Sequence, residues 1–181
     1  MRYPSRLLTD ERQRAFATRQ SRGGGVVVID QSGSMDVSAD DIEQLLRAAP
    51  DAVIVGYSHR PGDLGATPNA WILARQGGVA VRAPASNIGN GVDGPILRWA
   101  LQRARGGPVV WVTDGQVTDS HDHPCDRLTL ECALLVRDQG IRLARTVQNA
   151  AAALRGRRYD VTTFGRVGRR VIALRDVTGL R

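Results

Sequence analysis

The sequence predicts an α/β protein with a doubly wound, mostly parallel central sheet flanked by helices, and three observations carry that expectation. Strand-length apolar runs occur at Val26–Asp30, Ala52–Tyr57 and Pro108–Thr113. Their near-continuous apolar character is the pattern of strands buried on both faces. Stretches of helical periodicity separate the runs, as right-handed strand–helix–strand crossovers require. Two of the runs end at an acid, Asp30 and Asp114, and the carboxyl ends of parallel strands are where open α/β sheets place their ligands.

The elements follow in order. Residues 1–25 are polar and basic, end in Gly23-Gly24-Gly25, and read as a strap or short hairpin before the first strand. After Val26–Asp30 and the loop Gln31–Val37, Ser38 with Asp41 three residues on makes a capping-box variant. Ile42, Leu45 and Leu46 give the following helix its apolar face, and Pro50 ends it. Ala52–Tyr57 is a strand, a turn-rich stretch follows, Ala70–Ala74 is a third strand, and Gly78–Arg82 is a short extension. A helix over about Val92–Ala104 carries Val92, Ile96, Leu97, Ala100 and Leu101 on one face, closed by Gly106 and Gly107. Pro108–Thr113 is a buried strand, Leu128–Asp138 a helix capped by Gly140, Ile141–Val147 a strand and Gln148–Arg155 a short helix. Tyr159–Phe164 and Arg170–Leu174 read as a terminal hairpin. The division is therefore a basic N-terminal strap (1–25), a central domain (26–155) and a basic C-terminal extension (156–181).

With 181 residues and 42% hydrophobic content, one globular domain with a sizeable core is expected. No apolar run is long enough to cross a bilayer and the first residues lack a secretion signal, so a soluble, cytoplasmic protein is expected. Two cysteines are too few for a disulfide framework. Every one of the 25 basic residues is arginine. Without lysine, a Walker A phosphate loop and Schiff-base chemistry are both excluded. The net charge of +7 is uneven: residues 1–25 hold six Arg against Asp10 and Glu11, and residues 155–181 hold eight Arg against Asp160 and Asp176. The middle of the chain is acidic. Basic ends attract nucleic acid or an acidic partner, although the aromatic residues show no stacking pattern of a single-strand binder.

The chemistry gathers in three loops. Asp30, Ser32 and Ser34 follow the first strand, Asp114 follows Pro108–Thr113, and Ser86-Asn-Ile-Gly-Asn-Gly91 opens a helix. Side-chain oxygens from these loops are placed to hold a hard divalent cation, magnesium first and manganese or calcium next. Ser32, Ser34 and Ser86 are the candidate direct ligands; Asp30 and Asp114 bind directly or orient bound water. His121, His123, Cys125 and Cys132 lie close in sequence, but their spacing fits no standard zinc site. Their better reading is a polar surface loop with Cys132 as a small apolar helix residue. His59 reads as a solvated turn residue.

Asp30-Gln-Ser-Gly-Ser34 resembles the D-x-S-x-S motif of the von Willebrand factor A (VWA) domain family. Ser86-Asn-Ile-Gly-Asn-Gly91 is similar to that family's T-N-I-G-x-G loop, and Val112-Thr-Asp-Gly115 to its third motif. The resemblance covers roughly residues 26–155. It implies a Rossmann-like fold and a metal-ion-dependent adhesion site (MIDAS). In such a site Ser32, Ser34 and Ser86 ligate magnesium, Asp30 and Asp114 act through water, and a partner's Asp or Glu fills the open position. Position 86 departs from the pattern, with Ser where the family has Thr. The resemblance further implies a non-catalytic protein-binding module within a multi-protein assembly, with an AAA+ ATPase as one such partner.

Two other functions fit parts of the sequence. A haloacid-dehalogenase-type phosphatase would use Asp30 as nucleophile; it needs a second acid where this chain has Ser32, and usually a lysine. A nucleic-acid-associated protein would bind through its Arg-rich termini with steep salt dependence.

Overall fold

A computed structural model describes residues 24–58, 69–80, 92–119, 123–155, 164–167 and 170–172. Along the chain these form β1 (Val26–Asp30), α1 (Ala39–Ala48), β2 (Val53–Ser58), β3 (Asn69–Arg75), β4 (Gly78–Val79), α2 (Asp93–Ala104), β5 (Val109–Val112), α3 (Asp126–Gln139), β6 (Arg142–Ala144), α4 (Val147–Leu154), β7 (Phe164–Val167) and β8 (Arg170–Ile172). Six strands make one sheet in the order β4-β3-β2-β1-β5-β6. β1 runs parallel to both β2 and β5, and β5 is parallel to β6. β3 pairs antiparallel with β2 and with β4. The architecture is α/β, a mixed and mostly parallel six-stranded sheet with four helices, compatible with a Rossmann-like fold.

All five residues of β1 are buried, and they alternate between two clusters as the two-residue repeat of a strand requires. Val27 and Ile29 join Ile42 and Leu45 of α1 and Ala150 of α4. Val26 and Val28 join Ile96, Leu97 and Ala100 of α2 and Ala133 and Val136 of α3. Each fully buried Val, Leu or Ile contributes about 1.5–3 kcal/mol relative to an exposed one, so the two clusters supply most of the drive to fold. β1 and β5 enter the sheet side by side: Val26 N–H donates to the Pro108 carbonyl at 2.9 Å. Gly25 makes this approach feasible. It has φ +82, and a Cβ there would lie 2.3 Å from the Pro108 carbonyl oxygen.

Local signals set several ends. Ser38 caps α1 as the sequence predicts: its Oγ accepts the Asp41 amide at 3.2 Å, and Asp41 Oδ2 accepts the Ser38 amide at 3.0 Å. Other boundaries differ. The strand expected over Ile141–Val147 is confined to Arg142–Ala144, because Thr146 turns the chain into α4 by accepting the Asn149 amide at 3.1 Å. α3 starts at Asp126, two residues earlier than expected, and Thr129 Oγ1 ties its first turn to the Cys125 carbonyl at 3.0 Å. The terminal hairpin is present, with its first strand moved to Phe164–Val167. That shift leaves two residues between the strands, the length favoured in hairpins, and β7 runs beside α3. Most of the expected basic strap at 1–25, and the rest of 156–181, lie outside the described residues. Among the described residues no helix is long and apolar enough to cross a membrane.

Candidate metal centre

Strand order reverses at β1, with β2, β3 and β4 on one side and β5 and β6 on the other. The reversal makes a switch point between the carboxyl ends of β1 and β5, the place where open α/β sheets bind ligands. Asp30 ends β1, and Thr113 and Asp114 leave β5 beside it.

A continuous run of polar contacts crosses this point. Asp30 is buried; its Oδ1 accepts the Ser32 amide at 2.8 Å and its Oδ2 accepts the Thr113 hydroxyl at 3.1 Å. Ser32 Oγ lies 3.2 Å from Ser34 Oγ, and the Ser34 hydroxyl donates to Asp114 Oδ2 at 2.6 Å. Asp114 Oδ1 accepts the Gln116 amide at 2.9 Å, which holds its carboxylate in place. Asp30 and Ser32 are buried, Ser34 is exposed and Asp114 is half-buried. The group is therefore closed at the Asp30 end and open at the Ser34–Asp114 end. A cavity of about 280 Å³ opens beside Ser34, walled by Asp36, Val37, Asp41, Arg145 and Gln148. Arg145 also donates to the Asp114 carbonyl at 3.3 Å.

Four of the five expected site residues thus meet at one point. The fifth, Ser86, lies with its loop outside the described residues. The donors are hydroxyl and carboxylate oxygens, the set that magnesium, calcium and manganese prefer, so the residues present fit such an ion. Among the described residues no group of three or more His, Cys, Asp or Glu is arranged to hold a metal, so any ion here depends on the serine hydroxyls. Of the cysteine–histidine cluster, His123 is exposed with Nδ1 3.8 Å from Asp119 Oδ1, and Cys132 is buried on α3. Burial pushes the Cys132 thiol up, as for a small apolar core residue. His121 and His59 lie outside the described residues.

Burial raises the Asp30 carboxyl above the usual aspartate range, opposed first by the hydrogen bond from the Ser32 amide. With an oxygen committed to each of two protein donors, Asp30 braces the Ser32 loop against Thr113.

Four further residues, none of them marked by the sequence as a site residue, stand at this site or behind it. Thr113 is buried; besides donating to Asp30 it accepts the Gly115 amide at 3.1 Å, locking the turn that presents Asp114. Behind it runs a second polar chain. Trp111 Nε1 donates to the Tyr57 hydroxyl at 2.9 Å, and that hydroxyl donates to Asp93 Oδ1 at 2.5 Å. Asp93, the first residue of α2, is 3% exposed. An acid in a helix's first turn normally faces water and the helix dipole, so nothing local marks this one as inward-facing.

Burial holds the Asp93 carboxyl well above the aspartate range, and the nearby Asp30 charge adds to this. Burial likewise keeps Tyr57 a phenol. A carboxyl raised on folding contributes stability that is complete below the unfolded-state pKa, near 4, and is lost as pH climbs through the folded value. Asp93→Asn therefore gains on wild type as the pH rises from about 4 towards 8. Urea denaturation at several pH values checks this, and a pH-independent difference between the two proteins refutes it.

No protein-family model matches the chain, and no curated protein matches it.

Proposed function

We propose that the chain is a VWA-type domain, doubly wound, whose switch-point site holds a divalent cation and binds an acidic side chain of a partner protein. The observation that carries this reading is the contact run Asp30–Ser32–Ser34–Asp114, with separations of 2.6–3.2 Å, open to solvent at one end. Two further features support it. Residues of α1 and α4 share one core cluster with Val27 and Ile29, and residues of α2 and α3 share the other with Val26 and Val28, which supports the doubly wound reading. The reversal of strand order falls between the two strands that carry the aspartates.

Ser32, Ser34 and, by resemblance, Ser86 would hold the ion, magnesium by preference with manganese or calcium as substitutes. Bound there, the cation supplies an open position for a partner's Asp or Glu. Asp114 steers the Ser34 hydroxyl, and Asp30 and Thr113 keep the Ser32 loop in register with β5. A multi-protein assembly as setting and an AAA+ ATPase as partner follow from the family resemblance. The phosphatase alternative is disfavoured: Asp30 is 4% exposed and both carboxylate oxygens accept from the protein, so it is poorly presented for attack on a phosphoryl group.

The test is affinity capture with immobilised full-length chain in magnesium and in EDTA. The expected result is a protein retained in magnesium, released by EDTA and absent when Asp114→Ala is the bait. Capture indifferent to EDTA and to Asp114→Ala would overturn the reading.

A further inference from the structure

Gln31 stands between two of the site residues, Asp30 and Ser32, and is 1% exposed. Glutamine is mostly a surface residue, and a buried one needs partners for its amide. The main chain of Gln31 is held: its N–H donates to the Tyr57 carbonyl at 3.0 Å, which carries the β1–β2 ladder one residue past the end of β1. Its side chain lies against Gly56 of β2. A Cβ at Gly56 would collide with Gln31 Oε1 and come within 3.0 Å of Trp71 Nε1. Gly56 is paired with Trp71 of β3 in the ladder, so the glycine leaves a notch between the site loop and the indole. Two buried atoms with no hydrogen-bond partner among the described residues border that notch, Gln31 Oε1 and Trp71 Nε1. One is an acceptor and the other a donor, so each supplies what the other lacks. Leaving both unpaired in the interior is costly.

We propose that Gln31 is a positioning residue of the metal centre. Its amide sits in the Gly56 notch, pairs with the Trp71 indole directly or through one buried water, and fixes the loop that presents Ser32 and Ser34. This rests on the metal-site reading above. The link to the site is one peptide long: Gln31 is bonded to Asp30 on one side and to Ser32 on the other. Turning Gln31 out of the notch turns the peptide it shares with Ser32, whose amide Asp30 Oδ1 accepts at 2.8 Å. Residues behind metal ligands govern affinity by about 10- to 100-fold, and Gln31 acts in that range through the placement of the Ser32 hydroxyl.

Manganese binding to the full-length chain, followed by electron paramagnetic resonance well below the melting temperature, tests the proposal with Gln31→Ala, Trp71→Phe and Gly56→Ala. Circular dichroism checks that each variant is folded. Val136→Ala, which removes volume from the core cluster of α2 and α3, is the control. Gln31→Ala and Trp71→Phe are expected to weaken manganese binding about tenfold, and Val136→Ala to melt lower while binding manganese as wild type does. A merely structural role for Gln31 would lower melting temperatures and leave every affinity at the wild-type value. The notch has its own signature. Gly56→Ala is expected to melt lower and bind manganese more weakly, because its methyl group displaces the glutamine. Combining it with Gln31→Ala is expected to restore most of the melting temperature and none of the affinity. Wild-type affinity in Gln31→Ala or Trp71→Phe overturns the positioning role alone, and so does a double variant no more stable than Gly56→Ala. Gln31→Ala introduces no clash and decides the matter if Gly56→Ala fails to fold. Absence of manganese binding to the wild-type chain overturns the metal-site reading, and this role with it.

Discussion

Trp111→Ala is expected to destabilise the protein by about 3–5 kcal/mol, the range for removing a large buried aromatic side chain. Trp111 is 0% exposed in the core between the sheet and α2 and α3. The substitution opens a cavity and also strips the Tyr57 hydroxyl of its donor, leaving a buried oxygen less well satisfied. For a domain of this size the melting temperature should fall by roughly 10 °C. Trp111→Phe separates the two contributions: it keeps most of the volume and loses the N–H, so a smaller loss of about 1–2 kcal/mol is expected. Equal losses in the two variants would mean that the indole N–H, not the volume, dominates. A loss below about 1 kcal/mol in Trp111→Ala would contradict the burial.

Magnesium or manganese is expected to stabilise the wild-type chain and to leave Asp114→Ala unmoved. A ligand that binds only the folded state at 100 times its dissociation constant adds about 2.7 kcal/mol, which corresponds to roughly 5–10 °C in melting temperature. EDTA should reverse the shift. Asp114 is half-buried and holds Ser34 at the open end of the site, so Asp114→Ala should cost little without metal, and the ion response is what it removes. Ser34→Ala should behave alike. A wild-type melting temperature indifferent to both ions would remove the basis for an occupied site. An equal shift in Asp114→Ala would place the ion elsewhere.

What was legible in the sequence is what neighbouring residues determine. β1 ends where expected because a run of β-branched residues meets an acid, and α1 starts where expected because Ser38 and Asp41 satisfy each other's backbone partners. The meeting of Asp30, Ser32, Ser34 and Asp114 was legible because parallel strands put their carboxyl ends on one edge. The inward turn of Asp93 was not. Its partner Tyr57 is 36 positions away, and the phenol's own donor, Trp111, is 54 positions from Tyr57. An isolated acid at a helix start looks the same whether it meets water or a buried phenol. The β6–α4 boundary was missed for a different reason: Ile141, Leu143 and Val147 fall on a strand-period alternation that Arg145 alone interrupts, and the Thr146 cap is what shows that the strand has already ended.

Among the described residues the outermost strands of the sheet, β4 and β6, are two and three residues long. A strand that short offers too few free backbone groups to template the strand of another molecule. On the β6 edge, Arg142 adds a charge that a growing stack would have to bury, and its guanidinium is already engaged by the Ala153 carbonyl. The sheet therefore has blunt sides. Copies crowded together at high concentration should stay separate molecules and resist fusing edge to edge into fibrils.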